Sequence, residues 1–294
     1  MISVLISSFN TDVSILVRDL SHQLKSVHSV WEILIHDNGT DELVRKTVRE
    51  GIVNQDYIRY YSNETSSSRS ASRNWLAKKA QYEYLLFMDA DAGMVSENFI
   101  SLYLQSASKE KVIVGGTAYR LLRPKDDQLL RWKYGRLREA IPASKRNQSP
   151  WNSFSSFNFL IHKDIAMKIP FDESIQEYGH EDTLLGMEFK NWCIPVIHIA
   201  NPLFHDGLDN SRVFLEKSRT AVRTLALLIQ KGKVDEDITL FRYYHYIKKA
   251  RLVLFMRWIF SLSKPLLEKQ ILSSQPSIQL FDLYRLLYLC SLKP

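Results

Sequence analysis

Two aspartates, Asp89 and Asp91, follow a short apolar run at residues 84–88, and their spacing could create a metal site. A run this short, aromatic and followed by turn residues is typical of a buried strand rather than a helix. Because residues two apart on an extended chain point to the same side, we expect both carboxylates to face one spot. Two neighbouring carboxylates repel each other unless a cation or a hydroxyl array joins them. The pair therefore predicts a hard divalent cation with oxygen ligands, such as Mg or Mn.

The alternative role of these aspartates is to cap the helix that follows them. Ser96 and Glu97 already supply a cap for the helix predicted at residues 98–106, so that helix does not require Asp89 or Asp91. Asp-x-Asp is also a three-residue pattern that recurs by chance. Its position at the end of a buried strand favours the metal site.

The elements that must position this pair alternate between strand and helix. Apolar, β-rich runs are separated by segments with helical spacing. The predicted strands cover residues 2–6, 31–35, 57–61, 84–88, 111–116, 154–161 and 194–199. This alternation predicts an α/β fold with a doubly wound, Rossmann-like, mostly parallel sheet. Since the first four strands end in polar clusters, we expect a ligand crevice at their carboxyl ends.

The composition limits the classes of protein that fit this plan. The 294 residues are 45% hydrophobic and 24% charged, as in a globular protein with one large α/β domain, with or without an extension. The net charge of +7 suits an anionic substrate, an acidic membrane surface or nucleic acid. The dinucleotide fingerprint and the P-loop are both missing after the first strand, which argues against NAD binding and P-loop ATP hydrolysis.

Cysteine usage and the N-terminus bear on the compartment. Cys193 and Cys290 lack metal-ligand spacing, which predicts a reduced, cytoplasmic protein without disulfides or structural zinc. We expect no signal peptide, because the chain starts directly in an apolar strand without a basic segment before it. No apolar run reaches the length that a membrane-spanning helix needs.

The chain contains five short motifs, which are residues 7–10, 37–40 and 69–74, the Asp89–Asp91 pair, and Glu181 with Asp182. In this order they resemble the motifs of a family 2 glycosyltransferase of the GT-A fold. The resemblance implies transfer of a sugar from a nucleotide-diphosphate donor, with a UDP-sugar expected, to a hydroxyl group. It also implies inversion at the anomeric carbon and a divalent cation, Mn or Mg, as cofactor.

The resemblance assigns donor-binding roles residue by residue. Phe9 would stack on the donor base, and Ser7 belongs to the same motif. Asp37 would hydrogen-bond the edge of the base. Arg69 would lie near the base or the phosphates, and Asp89 would contact the ribose.

The same resemblance assigns metal-binding and catalytic roles, with a C-terminal half like that of some galactosyltransferases. Asp91 would hold the metal that bridges the diphosphate, and His205 would complete the metal site. Asp182 would be the catalytic base, because the attacking hydroxyl needs a carboxylate in hydrogen-bond reach to take its proton. Glu181 would orient the acceptor or Asp182. The structural alternatives are a helix N-cap for Asp182, first-turn charge for Glu181 and an ordinary loop position for His205.

Two positions depart from the pattern of the resemblance. Asn38 stands where many relatives have a second Asp in the turn motif, which weakens the contact assigned to that acid. His180 stands before the acidic pair where the galactosyltransferase-like group has Gly, so acceptor details do not carry over.

The end of the chain has a different composition. Between residues 241 and 294, nine Lys or Arg stand against two acidic residues and are interleaved with aromatic residues. We expect a catalytic domain at residues 1–215 and a helical extension at 216–294. The extension would lie in an anionic membrane interface, or pack on the catalytic domain or a partner chain. We predict no nucleic-acid partner, because no recognised nucleic-acid-binding module is present.

The sequence thus predicts a metal-dependent, inverting glycosyltransferase in the cytoplasm or on the inner face of the cell membrane, extending a surface polysaccharide or a lipid-linked glycan. One alternative is a catalytically inactive GT-A scaffold that acts as a binding partner in glycan assembly. The intact Asp89, Asp91 and Asp182 count against it. Another is a sugar-phosphate nucleotidyltransferase, which would need a Gly-rich basic loop in place of residues 7–10.

Overall fold

The computed structural model describes residues 1–52, 57–63, 68–175 and 177–292. Within these ranges the strands are β1 (Ile2–Ser8), β2 (Trp31–Asn38), β3 (Ile58–Asn63), β4 (Tyr84–Asp89), β5 (Ala92–Gly93), β6 (Val112–Val114), β7 (Thr117–Ala118), β8 (Asn158–His162), β9 (Val196–His198) and β10 (Leu203–His205). The helices are α1 (Ser14–Ser26), α2 (Glu42–Gly51), α3 (Arg69–Lys79), α4 (Phe99–Ser106), α5 (Leu129–Arg138), α6 (Ala143–Arg146), α7 (Lys163–Lys168), α8 (Glu181–Asn191), α9 (Ser211–Gln230), α10 (Thr239–Lys249), α11 (Val253–Ile271) and α12 (Ile278–Leu292).

The larger sheet has the strand order β3-β2-β1-β4-β8-β6-β9. Strands β1 to β4 pair in parallel, as do β6 and β9, whereas β8 is antiparallel to both of its neighbours. The prediction of an α/β fold with a mostly parallel sheet and a helical C-terminal region is therefore confirmed.

Both faces of this sheet are covered by helices. Val4 and Ile6 of β1 pack in one apolar cluster with Leu20 of α1, whereas Leu5 packs in a second cluster with Leu76 of α3. Successive side chains of a strand point to opposite faces, so the alternation divides β1 between two cores. Parallel sheets of α/β proteins are buried in this way, and their strands therefore consist of nearly continuous apolar runs.

The register of the parallel strands aligns their polar ends. Ser7 of β1 is paired with His36 of β2 on one side and with Asp89 of β4 on the other. The next residue, Ser8, is paired with Asp37. The polar side chains that follow these strands therefore lie at one level of the sheet, where open α/β sheets bind ligands.

A second, three-stranded sheet has the order β5-β10-β7. Strand β10 is antiparallel to β5 and parallel to β7, and His205 is paired with Ala92. These strands have only two or three residues each. Their pairing brings the end of β10 next to the residues that follow β4.

The chain divides into two compact units. The first unit comprises Met1–Tyr119, Glu139–Ser174 and Leu185–Gly207. The second unit comprises Arg120–Arg138, Ile175–Leu184 and Leu208–Pro294. The predicted domain boundary at residue 215 falls inside α9, and the division into a domain at 1–215 and an extension at 216–294 stays a prediction.

The core of the second unit is built by side chains from α5, α9, α11 and α12. Its buried members include Leu130, Phe214, Phe260, Ile271 and Phe281. The hydroxyl oxygen of Ser211, at the start of α9, accepts a hydrogen bond of 3.3 Å from the Leu130 N–H. In the described part of the chain, no helix is both long and apolar enough to cross a membrane.

Candidate functional site

Asp91 and His205 face each other in the first unit. Asp91 lies between β4 and β5, and His205 ends β10. The distance from His205 Nε2 to Asp91 Oδ2 is 3.6 Å. The Asp206 N–H also donates to the Asp91 carbonyl at 3.0 Å, which fixes the two backbone segments against each other. Two residues far apart in sequence are thus held as a pair by the small sheet.

The ring of His205 is fixed between two aromatic side chains. It lies parallel to Tyr119 and to Phe157, with ring centroids 5.7 and 5.4 Å away and an interplanar angle of 13° to each. The Tyr119 hydroxyl in turn donates to the Glu139 carboxylate. His205 Nδ1 is buried and has no hydrogen-bond partner within the described residues. Stacking rather than hydrogen bonding therefore sets the orientation of the imidazole.

Gly207 approaches the Asp91 carboxylate so closely that only glycine fits. A Cβ at this position would lie 2.4 Å from Asp91 Oδ2. Contacts this short between a carbon and an oxygen are prevented by van der Waals repulsion. The glycine therefore leaves the carboxylate in its place beside His205.

Asp91 is a partly buried acid with other charged groups nearby. Burial raises the pKa of Asp91, because desolvation disfavours the carboxylate. The positive field of His205 opposes this effect, the neighbouring Asp89 adds to it, and Arg69 lowers the pKa again. A nearby cation would favour the ionised form of this carboxylate.

The residues present fit a divalent cation as part of its ligand set. No group of three or more His, Cys, Asp and Glu residues close enough to hold a metal ion occurs in the described ranges. His205 Nε2 lies 3.6 Å from Asp91 Oδ2, and among the described residues no salt bridge to the Asp91 carboxylate is shorter than this contact. Mg ions in phosphate-binding sites commonly take one or two protein ligands, with waters and phosphate oxygens completing the shell.

Asp89 lies beside this pair and is held by an arginine. Arg73 Nη2 donates to Asp89 Oδ1 at 2.7 Å, and the Asp89 N–H donates to the Phe157 carbonyl at 3.1 Å. The Arg73 guanidinium is buried and lies 5.2 Å from the ring centroid of Phe171. The Asp89 side chain remains partly exposed, so its carboxylate is oriented by Arg73 without being enclosed.

Arg69 opens α3, with Ser68 as the N-cap residue. The Ser68 hydroxyl accepts from the Ala71 N–H at 3.2 Å, as expected for a helix cap. The Arg69 side chain is exposed and close enough to Asp91 to lower its pKa. Arg69 is therefore the exposed cation of the site, whereas Arg73, one turn later, is the buried one.

Asp37 is buried at the end of β2 and accepts several hydrogen bonds. Its Oδ1 accepts from the Thr40 N–H at 3.0 Å, and its Oδ2 accepts from Arg45 Nε at 3.2 Å and from the Tyr60 hydroxyl. Burial alone would raise the pKa of Asp37, but the hydrogen bonds from Thr40, Tyr60 and Arg45 outweigh it and lower the pKa. Asp37 is thus ionised and rigidly oriented.

Phe9 and its neighbour Asn10 form the exposed turn after β1. The Phe9 side chain is 56% exposed, so its ring is accessible to a ligand. Asn10 has a positive φ of 47°. Its N–H donates to Thr40 Oγ1 at 3.0 Å, and its side-chain oxygen accepts from the Asp41 N–H at 2.8 Å. These bonds join the turn after β1 to the turn after β2.

Ser7 belongs to a chain of polar side chains across the sheet. Its Oγ lies 2.7 Å from Ser72 Oγ, which lies 2.6 Å from His36 Nδ1. The His36 ring is stacked on Trp75, with centroids 4.7 Å apart. Ser7 is thus anchored to α3, the helix that also carries Arg69.

Glu181 and Asp182 belong to the second unit and form the first turn of α8. Gly179 and His180 before them have positive φ values of 104° and 70°. The Gly179 N–H donates to Glu181 Oε2 at 3.1 Å. A Cβ on Gly179 would lie 2.7 Å from the Cβ of Ala221, so the turn is pressed closely against α9. This packing fixes the direction in which α8 begins.

His180 is a further titratable group of this turn. Burial lowers the pKa of His180 to about 4, and the positive charge of Arg285 acts in the same direction. Its Nδ1 lies 3.3 Å from Thr183 Oγ1. The imidazole is therefore neutral near pH 7.

The first unit brings together Asp91, His205 and Asp89, with Arg69 in electrostatic range of Asp91. Ser7 and Asp37 lie at the same level of the sheet, as the strand register requires. The sequence prediction did not include Arg73, Tyr119, Phe157 and Gly207. Arg73 could have been found, since a buried arginine four residues after Arg69 occupies the same helix face. The aromatic and glycine contacts depend on pairings that no local pattern reveals.

Comparison with known proteins was carried out for both sequence and structure. The family model for glycosyl transferase family 2 matches residues 3–169, more than half of the chain. A search of curated protein sequences gave no significant match.

Three solved structures illustrate the structural likeness. The mannosyltransferase PcManGT from Pyrobaculum calidifontis, in complex with GDP-Man and Mn2+, has a TM-score of 0.59 at 12% identity and covers 99% of this chain and 85% of its own. S. aureus TarS 1-349 has a TM-score of 0.52 at 18% identity and covers 80% and 67%. Glucosyl-3-phosphoglycerate synthase from Mycobacterium tuberculosis, with Mn2+, UDP and glucosyl-3-phosphoglycerate, has a TM-score of 0.51 at 14% identity and covers 80% and 81%. At these identities the likeness concerns the fold alone.

Proposed function

Because the chain belongs to glycosyl transferase family 2 and has the GT-A fold, we propose that it transfers a sugar from a nucleotide-diphosphate donor to a hydroxyl group. The observation that carries the proposal is the pair of Asp91 and His205, 3.6 Å apart beside the carboxyl ends of the parallel strands. Ligands of open α/β sheets bind at this position. The donor complexes described for PcManGT, with GDP-Man, and for the mycobacterial synthase, with UDP, support a nucleotide-diphosphate ligand.

Asp91 and His205 would hold the divalent cation, Mn or Mg. When bound, the ion would neutralise charge that develops on the diphosphate leaving group. The Mn2+ in the PcManGT and synthase structures supports this cofactor. Arg69, whose side chain is exposed and lies within electrostatic range of Asp91, would supply a second positive charge for the phosphates.

The remaining donor-site residues follow from their positions at one level of the sheet. The exposed ring of Phe9 offers a stacking surface for the base. The ionised carboxylate of Asp37 would hydrogen-bond the edge of the base. Ser7, on the neighbouring strand β1, would line the same donor site. Asp89, held by Arg73, would accept a hydrogen bond from a ribose hydroxyl. We propose a UDP-sugar as donor.

Asp182 would act as the general base that takes the proton of the acceptor hydroxyl, with inversion at the anomeric carbon. Glu181 would orient the acceptor or Asp182, and its bond from the Gly179 N–H supports a fixed geometry. The acceptor would be a growing glycan or a lipid-linked saccharide of surface polysaccharide synthesis. We further propose that the enzyme works in the cytoplasm or peripherally on the inner face of the cell membrane. The basic, aromatic helices at the end of the chain support this location.

The proposal is tested by thermal unfolding of the purified protein with UDP, GDP and other nucleoside diphosphates, with and without Mn or Mg. A ligand that binds only the native state raises the melting temperature, by ~4–5 °C at a hundredfold excess over Kd for a chain of this size. We expect a shift that requires the metal and is lost in Asp91→Asn. The matched control Asp19→Asn, on α1, should keep it.

The nucleotide that gives the largest shift identifies the donor base. A shift with GDP and none with UDP would replace the UDP-sugar by a GDP-sugar. The absence of a shift with every diphosphate would contradict the donor site. That outcome would favour a catalytically inactive scaffold.

A further inference from the structure

Helix α11 presents a row of large apolar side chains to solvent. Leu254, Trp258, Leu262 and Leu266 are spaced by four residues, and their exposed fractions are 74%, 60%, 62% and 72%. Phe255 lies beside the row and is stacked on Trp258, with ring centroids 6.0 Å apart. Residues four apart lie on one face of a helix, so these five side chains form a single surface, here called the apolar stripe of α11.

The opposite face of α11 is already used by the core of the second unit. Phe260, Leu267 and Ile271 are buried in the cluster formed with α9 and α12. The helix is therefore apolar on two sides, and only one of them is buried against the rest of the second unit. Soluble monomeric proteins rarely expose a continuous row of large apolar groups, and such rows mark contact with a membrane or a protein.

Cations surround the apolar stripe. Arg251 lies two residues before the start of α11, Arg257 lies within the helix, and Lys269 follows the stripe in the last turn of the helix. None of these three side chains has a carboxylate within 4.0 Å among the described residues. Their charge is therefore available to an external anion.

The two acidic residues between positions 241 and 294, Glu268 and Asp282, are both paired with cations. Glu268 accepts from Arg219 Nη2 and lies 3.9 Å from Lys264 Nζ. Asp282 accepts from Arg138 Nη2 at 2.7 Å and lies 3.8 Å from Arg285 Nη1. The carboxylates are neutralised by partners within the second unit, so the surface around the stripe is cationic.

We propose that the apolar stripe of α11 and its flanking cations bind the surface of an anionic lipid bilayer. A helix with a row of Leu, Phe and Trp on one side and basic residues at the margins lies in the interface plane, with its apolar groups among the upper acyl chains. Trp is enriched at this depth, because its ring is amphipathic. Each cation adds to the attraction for acidic headgroups.

The charge pattern favours a bilayer over a second copy of this chain. A twofold contact through the stripe would place the same surface on both partners and would bring their unpaired cations together. Like charges brought together across an interface are unfavourable, whereas a phosphate-rich surface neutralises them. From Leu254 to Leu266 the stripe is about 18 Å long at 1.5 Å per residue, which fits a helix lying on a bilayer rather than crossing it.

The inference rests on the proposed function only where it concerns the acceptor. A lipid-linked saccharide is found at the membrane surface, so binding of the second unit to lipid would increase the chance of meeting it. Lipid binding itself requires neither donor nor metal. It is therefore measured separately from catalysis.

The test is co-sedimentation of the full chain with vesicles of phosphatidylcholine, with and without phosphatidylglycerol, at low and high salt. We expect binding that requires phosphatidylglycerol and weakens with salt. The triple variant Leu254→Gln, Trp258→Gln, Leu262→Gln should bind at least about tenfold more weakly, since each exposed apolar group contributes to insertion. The triple variant Arg251→Gln, Arg257→Gln, Lys269→Gln should weaken binding by a similar factor.

A matched control places the same substitution on other helices. Ile15→Gln, Leu137→Gln and Leu227→Gln, combined in one variant, alter exposed apolar residues of α1, α5 and α9. This variant should bind vesicles as the wild type does. Because the residues substituted are exposed, apart from the half-buried Arg257, melting temperatures should change little. Light scattering reports the oligomeric state of each variant.

Two results would overturn the inference. Undiminished vesicle binding by the apolar-stripe variant is one. The other is a wild-type oligomer that this variant dissociates while vesicle binding stays the same, which would assign the stripe to self-association. If the wild type binds vesicles but transfers no sugar to a water-soluble acceptor, that result would instead contradict the proposed function.

Discussion

Asp182 lies in the first turn of α8, directly after the buried Glu181. The helix begins at Glu181, so His180 occupies the N-cap position. Asp182 lies two positions further along and is not the N-cap that its sequence context also allowed. Its negative charge is favourable near the helix N-terminus, so a role in stability and a role in proton transfer are both compatible with this place. A substitution that keeps the shape and removes the charge distinguishes the two.

We expect Asp182→Asn to reduce turnover by about 10²–10⁴-fold, the usual contribution of a general base. The melting-temperature shift induced by the nucleoside diphosphate and metal should remain, because the donor residues belong to the first unit. The measurement is initial rate against acceptor concentration, together with thermal unfolding. Glu188→Gln, on an exposed position of the same helix, is the control. Unchanged turnover would remove Asp182 from the mechanism.

The Asp89–Asp91 pair shows how far single residues could be predicted. Their acidity, position at a strand end and proximity were all deduced from the sequence, and Asp89 does raise the pKa of Asp91. The partners could not be deduced. Arg73 binds Asp89, and His205 faces Asp91, because β4 ends at Asp89 and the chain then turns into β5. A period of two holds only while the strand continues.

At the scale of elements, the small sheet β5-β10-β7 holds the site together. Its contribution depends on Gly207, which follows β10 and lies against the Asp91 carboxylate. The sheet itself was missed in the sequence, although the larger sheet was predicted. Strands of two or three residues are too short for a periodic pattern, and their pairing joins segments far apart along the chain.

We predict that Gly207→Ala abolishes metal-dependent donor binding without unfolding the protein. The added Cβ would lie 2.4 Å from Asp91 Oδ2, so the carboxylate or the strand must move. Thermal unfolding with and without nucleoside diphosphate and Mn measures this directly. Gly232→Ala is the control, because its Cβ would enter open space and costs only the strain of a positive φ, about 1 kcal/mol. A wild-type shift in Gly207→Ala would contradict the geometry described for Asp91.

At the scale of the whole molecule, each unit contains a histidine that folding keeps neutral. In the first unit, His198 Nδ1 lies 2.6 Å from Arg146 Nη1 and its Nε2 lies 2.9 Å from the Pro150 carbonyl. Burial lowers the pKa of His198 to about 4, and the Arg146 charge acts in the same direction. In the second unit, burial lowers the pKa of His180 to about 4 as well.

These two groups predict acid destabilisation. Between the ordinary histidine pKa of 6.5 and about 4, the unfolded chain binds protons that the folded chain does not. The free energy of unfolding therefore falls as the pH drops through this window, by at most about 3 kcal/mol per histidine, and levels off below it. Chemical denaturation at several pH values measures this slope.

The double variant His180→Gln, His198→Gln should have a smaller slope of unfolding free energy against pH than the wild type, whatever its absolute stability. His22→Gln, which removes an exposed histidine from α1, should keep the wild-type slope. An equal slope in the double variant would mean that other groups cause the acid destabilisation.

The large-scale organisation was predicted only in part. The α/β sheet and the helical C-terminal region were deduced from apolar periodicity, which reports local burial. The antiparallel direction of β8 was not, because the apolar run of a buried strand carries no information about its direction. Nor did the sequence reveal that residues 120–138 and 175–184 belong to the second unit. The composition of these segments does not show which residues they pack against, and only tertiary packing groups them with residues 208–294.

The strand order of the larger sheet has a consequence for synthesis. The ribosome releases β1 to β4 first, so the parallel half of the sheet can form while β8, the next strand beside β4, is still unmade. Until Asn158–His162 emerges, the free edge of β4 can pair with other chains. The nascent chain also holds Asp91 long before it holds His205. We therefore expect the expression level of this protein to depend on chaperone protection during translation rather than on the stability of the folded protein.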